Sequence, residues 1–266
     1  MDMGLAGKTV VIIGGSSNLG RTCSLAFAEE GANVVIVARH IEDCQRVADK
    51  CSTLGKGRFI PFSADATILD DCKKVVKKTL DEFGRIDVLV NTIGWNRLGR
   101  FLDIDPKDWD KIIKTNYTYT LNMFHVVLPV MIKQKGGNII TMSSVIGRKG
   151  DIEEPIYGGL KAGQINFTHS IAQEMGQYGI RANCVAPALT MPEGTETLGG
   201  ESVWKGTFSP EDQKSLIRDH TAITALGRLA KPRDVAMAVL FLASDVTADH
   251  ITGIVIGTDG GQYYPH

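Results

Sequence analysis

Seven short runs rich in β-branched apolar residues recur along the chain, at Lys8–Ile13, Asn33–Ala38, Arg58–Phe62, Ile86–Asn91, Asn138–Met142, Arg181–Ala186 and Ile254–Gly257, with longer amphipathic stretches between them. Most of these runs are apolar at consecutive positions and do not alternate, which is how a strand reads when both of its faces are covered. The intervening stretches carry helical spacing. Leu19, Cys23, Ala26, Phe27 and Glu30 precede a stop at Gly31; Asp70–Phe83 is closed by Gly84. Asp108–Lys133 and Ile156–Tyr178 are longer, and Pro232–Ala243 starts on a proline, as helices often do. This order predicts an α/β fold: one doubly wound, seven-stranded parallel sheet with helices on both faces, joined by right-handed crossovers. Ligands of such a sheet collect at the carboxyl ends of its strands, near the point where strand order reverses.

A length of 266 residues suits a single domain over 1–266, and no repeat or Pro/Ser-rich linker divides it. Lys plus Arg number 29 against 30 for Asp plus Glu, so neither a basic nucleic-acid surface nor a polyacidic chain is expected. No apolar stretch approaches the roughly 20 residues that span a bilayer. The apolar start, Val10–Ile13, is too short for a signal peptide and runs directly into a glycine turn. Five scattered cysteines and six unpaired histidines argue against a disulfide framework or a metal site. The expectation is a metal-free protein of a reducing compartment, the cytoplasm.

After the first strand comes Gly14-Gly15-Ser16-Ser17-Asn18-Leu19-Gly20-Arg21. A strand-to-helix turn of small residues lets backbone N–H groups approach a pyrophosphate, and the helix dipole adds about half a positive charge beneath it. On its own this is equally a tight turn. The second strand ends Val37-Ala38-Arg39-His40; a carboxylate there would bind an adenosine ribose and repel a 2′-phosphate, whereas Arg39 offers a planar fork of donors to a phosphate. That charge logic favours NADP(H) over NAD(H). Asp65-Ala66 and Asn91-Thr92-Ile93-Gly94 fall at the ends of the third and fourth strands, where Asp and Asn also cap turns routinely.

Tyr157-Gly158-Gly159-Leu160-Lys161 sets a phenol and an ammonium four residues apart on one helix face. A phenol with an ordinary pKa near 10 trades protons poorly at neutral pH, and a neighbouring cation is expected to lower that pKa. Ser143-Ser144 follow the fifth strand, with Ser144 thirteen residues before Tyr157. Asn116 lies inside the long fourth helical stretch.

This ordered set resembles the short-chain dehydrogenase/reductase family, a Rossmann-type fold, from Gly7-Lys8 to Asp259-Gly260-Gly261. The resemblance implies a catalytic set of Asn116, Ser144, Tyr157 and Lys161, with Tyr157 as general acid or base, Ser144 orienting the substrate oxygen and Asn116 holding a water on the way from Lys161 to solvent. Ser143 would be a structural neighbour. It also implies cofactor contacts from Gly14, Ser16, Ser17, Asn18, Leu19, Arg39, His40, Asp65, Ala66, Asn91, Gly94, Tyr157, Lys161, Pro187 and Thr190. A homotetramer or homodimer is implied in the same way.

Several residues depart from the family pattern: Ile13 for its Thr, Asn18 for its middle Gly, Thr92 and Ile93 within its Asn-Asn-Ala-Gly, and Ala188 for the Gly after Pro187. Asn tolerates the left-handed backbone best after Gly, so Asn18 is survivable, whereas Ala188 puts the local geometry in question. These departures keep a second reading open, a catalytically silent NADP(H)-binding sensor or scaffold. Epimerases and dehydratases of the extended relatives need a larger C-terminal substrate domain, and an enoyl reductase needs a wider Tyr–Lys spacing. The segment at about 189–226, with a helix-like Pro210–His220, reads as a substrate-covering lid. Trp95, Met191 and Trp204, with Ser144 and Tyr157, are the candidate substrate contacts; Ile152 and Phe208 approach the same mouth, and packing within the lid itself explains the aromatics equally well. The substrate and the direction of reaction stay open.

Overall fold

In the computed structural model, which describes residues 2–194, 197–198 and 209–263, all seven runs form strands of one parallel sheet. They are β1 (Thr9–Ile13), β2 (Asn33–Ala38), β3 (Phe59–Ser63), β4 (Val88–Asn91), β5 (Gly137–Met142), β6 (Ile180–Pro187) and β7 (Val255–Thr258). Their order is β3-β2-β1-β4-β5-β6-β7, so the reversal of direction lies between β1 and β4.

Pleating sends neighbouring side chains to opposite faces, and each face has its own core. Val10, Ile12, Val34, Ile36, Val88 and Val90 face α1 (Asn18–Glu29), α2 (Ile41–Ser52) and α9 (Pro232–Ala243). Val11, Ile13, Val35, Val37, Leu89 and Ile139 face α3 (Leu69–Phe83), α5 (Tyr119–Gln134) and α7 (Pro155–Met175). Burial of each such side chain is worth about 1.5–3 kcal/mol, which explains why runs of consecutive apolar residues are needed. The five cysteines are buried free thiols within this framework.

The helices carry two departures from the sequence reading. No helix was expected at 41–52, yet α2 is there, its buried stripe made of Cys44, Val47, Ala48 and Cys51. The expected single helix over Asp108–Lys133 is α4 (Trp109–Ile113), a π-helical turn (Lys114–Thr118) and α5. Gly31 (φ +76°) and Gly84 (φ +72°) end α1 and α3 in the left-handed conformation. The remaining helices are α6 (Ile146–Lys149), α8 (Pro210–Ala222) and α10 (Asp245–Ala248). Among the described residues no helix is long and apolar enough to cross a membrane.

Candidate active site at the carboxyl ends of the strands

The turn after β1 is drawn tight from three sides. Gly14 and Gly15 donate their N–H groups to Val37 O (2.8 and 3.1 Å), and Thr92 donates both its N–H (3.0 Å) and its hydroxyl (2.7 Å) to Ile13 O. From within α1, the Ser24 hydroxyl lies 3.0 Å from both Gly15 O and Gly20 O. A Cβ on Gly14 would come within 2.7 Å of Thr92 Oγ1, and one on Gly20 would overlap the Gly14 carbonyl oxygen. Asn18 takes the left-handed backbone, φ +47°, as its residue type allows. The first turn of α1 has no acidic residue and Ser17 makes no side-chain cap, so its N–H dipoles point at the mouth of the turn uncompensated. A cradle this close, with open donors, fits a dinucleotide pyrophosphate.

The other strand ends surround this turn. Arg39 is exposed one residue beyond β2, its carbonyl held by the Ser63 hydroxyl (2.8 Å), and His40 begins α2 beside it. Asp65 accepts hydrogen bonds from the Thr67 N–H (2.9 Å) and hydroxyl (2.7 Å), so its carboxylate caps a turn whatever else it meets. Buried Ala66 receives the Asn122 amide at its carbonyl (3.1 Å). Asn91 is fully buried at the end of β4, in register with Thr141, and among the described residues neither its amide nor the Thr141 hydroxyl has a partner.

Past β4, Gly94 and Trp95 lean onto the π-helical turn. Asn116, inside that turn, donates from Nδ2 to Trp95 O and to Ile112 O (2.9 Å), and its Oδ1 lies 3.4 Å from the Trp95 N–H. Ile112 O is the carbonyl an α-helix would pair with the Asn116 N–H; the side chain takes that place where the ladder opens. Both amide hydrogens of Asn116 are thus committed to carbonyls. A Cβ on Gly94 would sit 3.3 Å from Asn116 Oδ1 and 3.7 Å from Lys161 Nζ, so these three residues form one wall.

The opposite wall comes from β5 and α7. Ser144 is buried, accepts the Ile146 N–H (3.2 Å) and hydrogen-bonds the Tyr157 hydroxyl. Ser143, expected as a neighbour only, donates to Lys161 O (3.0 Å) and so ties β5 to α7. Lys161 is buried, donates from Nζ to Met142 O (2.9 Å), and holds its ammonium 5.4 Å from the centre of the Tyr157 ring. Gly147 of α6 permits this approach: a Cβ there would come within 2.7 Å of Lys161 C and 2.8 Å of Ala162 N. Gly147→Ala is therefore expected to push α6 off α7, lowering kcat at least tenfold while destabilising by about 1–3 kcal/mol; kinetics and melting of the purified variant measure both.

The electrostatics correct one expectation. Lys161 does not lower the phenol pKa here. Burial, followed by the charge of Glu154, pushes the Tyr157 hydroxyl above its ordinary value, and the Ser144 hydrogen bond opposes the rise only in part. Burial also drives Lys161 down to about 7, with Cys184 opposing. The pair shares one apolar environment that penalises both the phenolate and the ammonium. The group it stabilises at neutral pH is a protonated, donating phenol.

Ala188 follows β6 without entering the left-handed region, where only Asn18 and Lys135 stand among the described non-glycine residues. The departure from glycine at 188 therefore costs no strain. Pro187 accepts the Val145 N–H (3.1 Å), Thr190 turns its hydroxyl onto Ala188 O (2.9 Å), and half-buried Met191 donates its N–H to Ala230 O (3.1 Å). The segment is anchored at its start by Arg21–Glu193 (3.6 Å) and beyond α8 by Gln262 on Thr224 (2.7 Å). Trp204 and Phe208 lie outside the described residues. Trp95 is half-buried with Lys111 Nζ 4.0 Å over its ring, whereas Ile152 is exposed. Asn96 and Glu154, which nothing in the sequence pairs, join across the mouth, Asn96 Nδ2 donating to Glu154 Oε1 at 2.6 Å.

Comparison with known proteins follows the same outline. Residues 8–201 match the family described as short chain dehydrogenase. The chain is 37% identical over 261 residues to the 3-oxoacyl-[acyl-carrier-protein] reductase FabG of Thermotoga maritima, covering 97% of this chain and 99% of the relative. It is 33% identical over 261 residues to the enzyme of that name from Escherichia coli, covering 98% and 99%. Among solved structures, a short-chain type dehydrogenase/reductase from Mycobacterium marinum superposes with a TM-score of 0.86 at 29% identity, covering 98% of this chain and 97% of that one.

Proposed function

Because the chain belongs to the short-chain dehydrogenase/reductase family, we propose that it is an NADP(H)-dependent oxidoreductase acting between a ketone and a secondary alcohol, with Tyr157 exchanging the proton. The observation that carries this reading is the convergence of Ser144, Tyr157, Lys161, Asn116 and Gly94 beside the ends of β4 and β5. The nicotinamide supplies the hydride when bound. Tyr157 then gives its hydroxyl proton to the substrate oxygen, and Ser144 holds that oxygen and the phenol in line. Lys161, fixed by Met142 O, replaces the proton. Gly14, Ser16, Ser17, Asn18 and Leu19 hold the pyrophosphate, Asp65 and Ala66 flank the adenine, and Asn91, Gly94, Pro187 and Thr190 bound the nicotinamide side. Met191 and Trp95 supply apolar contacts to the substrate. A cytoplasmic homotetramer or homodimer completes the reading on family likeness.

The substrate class tested first is a 3-oxoacyl thioester or β-keto ester, after the relatives named above. The silent-scaffold alternative rested on Asn18 and Ala188, and both sit in backbone that suits them. A spectrophotometric panel of ketones with NADPH and NADH is the test. NADPH is expected to be preferred on the order of tenfold or more, since Arg39 can grip a 2′-phosphate with two parallel hydrogen bonds. Arg39→Asp, with His40 kept, should reverse that preference. A protein that oxidises NADPH with no member of the panel is not this enzyme, and an unchanged cofactor ratio in Arg39→Asp removes Arg39 from the phosphate site.

A further inference from the structure

Asn96 and Glu154 bridge the space between the two walls. Glu154 stands immediately before α7, three residues ahead of Tyr157, and is half-buried. Its Oε1 accepts the Asn96 amide at 2.6 Å, and the neighbouring Glu153 carbonyl accepts the Gly99 N–H at 2.9 Å. The segment after β4, which carries Gly94 and Trp95 onto Asn116, is thereby laced to the first turn of α7, which carries Tyr157. Burial, with Asp151 and Glu153 nearby, pushes the Glu154 carboxyl above its ordinary value, and the Asn96 hydrogen bond and Lys149 oppose that rise and favour the carboxylate. The field of Glu154 reaches the Tyr157 hydroxyl itself.

We propose that Glu154, held in place by Asn96, is a specificity residue that rejects substrates carrying a negative charge beside the reacting carbonyl and admits neutral ones. A carboxylate on the substrate would have to desolvate beside a second carboxylate that Asn96 holds in place, and a like charge in a partly dry site is costly. An ester or thioester of the same acid meets no such cost and offers its polar atoms to Asn96 and Ser144.

The inference rests on the oxidoreductase reading, and one set of measurements separates the two. The full-length wild type, Glu154→Gln and Glu154→Asp are assayed with NADPH against ethyl acetoacetate and acetoacetate, or against whichever neutral ketone the wild type reduces best and its carboxylate congener. Glu154→Gln keeps the acceptor for Asn96. It is expected to shift the ratio of kcat/KM toward the anion by on the order of tenfold, while Glu154→Asp retains the wild-type ratio. If the wild type reduces no ketone, the oxidoreductase reading falls. If it reduces the neutral ketone but shows no discrimination, or Glu154→Gln leaves the ratio where it was, this inference falls alone. Should Glu154→Gln fail to fold, Glu154→Ala takes its place with the same shift toward the anion expected, and an unchanged ratio in that variant overturns the proposal.

Discussion

Tyr157→Phe should lower kcat for carbonyl reduction by on the order of 10³-fold and leave NADPH affinity within a factor of about two. The substitution keeps the ring, so its contact with Lys161 Nζ and its packing on α7 persist; what goes is one hydroxyl and its hydrogen bond to Ser144. General acid–base catalysis by a positioned side chain is worth about 10²–10⁴ in rate, and water fills the role poorly where the surroundings are apolar. The raised pKa of Tyr157 fixes the direction of the pH dependence. Its phenol stays protonated throughout the neutral range, so reduction does not lose its donor until the pH approaches that raised value. Oxidation of the alcohol needs the phenolate, and is expected to improve as the pH climbs. Single-turnover kinetics with fluorescence titration of NADPH read the two halves of this prediction separately. Turnover within threefold of wild type would remove Tyr157 from the proton path.

The same residues show how much of the molecule the amino-acid order discloses. All seven strands fall within two residues of their expected places, because a strand buried on both faces must be written in consecutive apolar residues, and little else in a soluble chain is. Helix α2 escaped because its buried face is Cys44, Val47, Ala48 and Cys51, with Val47 the one large hydrophobe in the stripe, and because no side chain caps its start. The π-helical turn is invisible to periodicity: one extra residue in the ladder shifts the stripe by less than the pattern's own scatter. Only Asn116, a polar residue in a buried helix, marks the place.

The site divides along the same line. Tyr157, Lys161 and Ser144 are legible from spacing, since a helix fixes i to i+4 and a short connection fixes where β5 delivers its serines. Their proton affinities are not. A rule of pairwise charge says the lysine acidifies the phenol; burial of both, which depends on β6, α5 and α6 closing around them, turns the balance the other way. The Asn96–Glu154 contact joins residues 58 apart in the chain, beyond any local signal. Ala188 shows the opposite case, a departure from the family pattern that looks costly in sequence and proves ordinary in backbone.

Gly20→Ala is expected to cost about 1–3 kcal/mol of stability and at least tenfold in NADPH affinity, a larger loss than any other single methyl group added around the turn. The added Cβ would overlap the Gly14 carbonyl oxygen and lie 2.5 Å from Thr92 Oγ1. Neither obstacle can step aside cheaply. Gly14 is held by Val37 O, Thr92 is held by Ile13 O through two hydrogen bonds, and the Gly20 carbonyl is itself pinned by Ser24. Relief therefore comes from moving the turn outward, toward the place where a pyrophosphate has to approach the first N–H groups of α1. Gly159→Ala supplies the control, because a Cβ on that exposed helical glycine meets nothing within 4 Å. There the helix should gain roughly 0.5–1 kcal/mol from the entropy that glycine wastes. Thermal melting separates the two by sign, each kcal/mol moving Tm by about 2–4 °C at this size, and calorimetric titration with NADPH gives the affinities. A Gly20→Ala protein that melts and binds like the wild type would mean that the turn is soft, and the cradle argued from Gly14 and Gly20 would lose its physical basis.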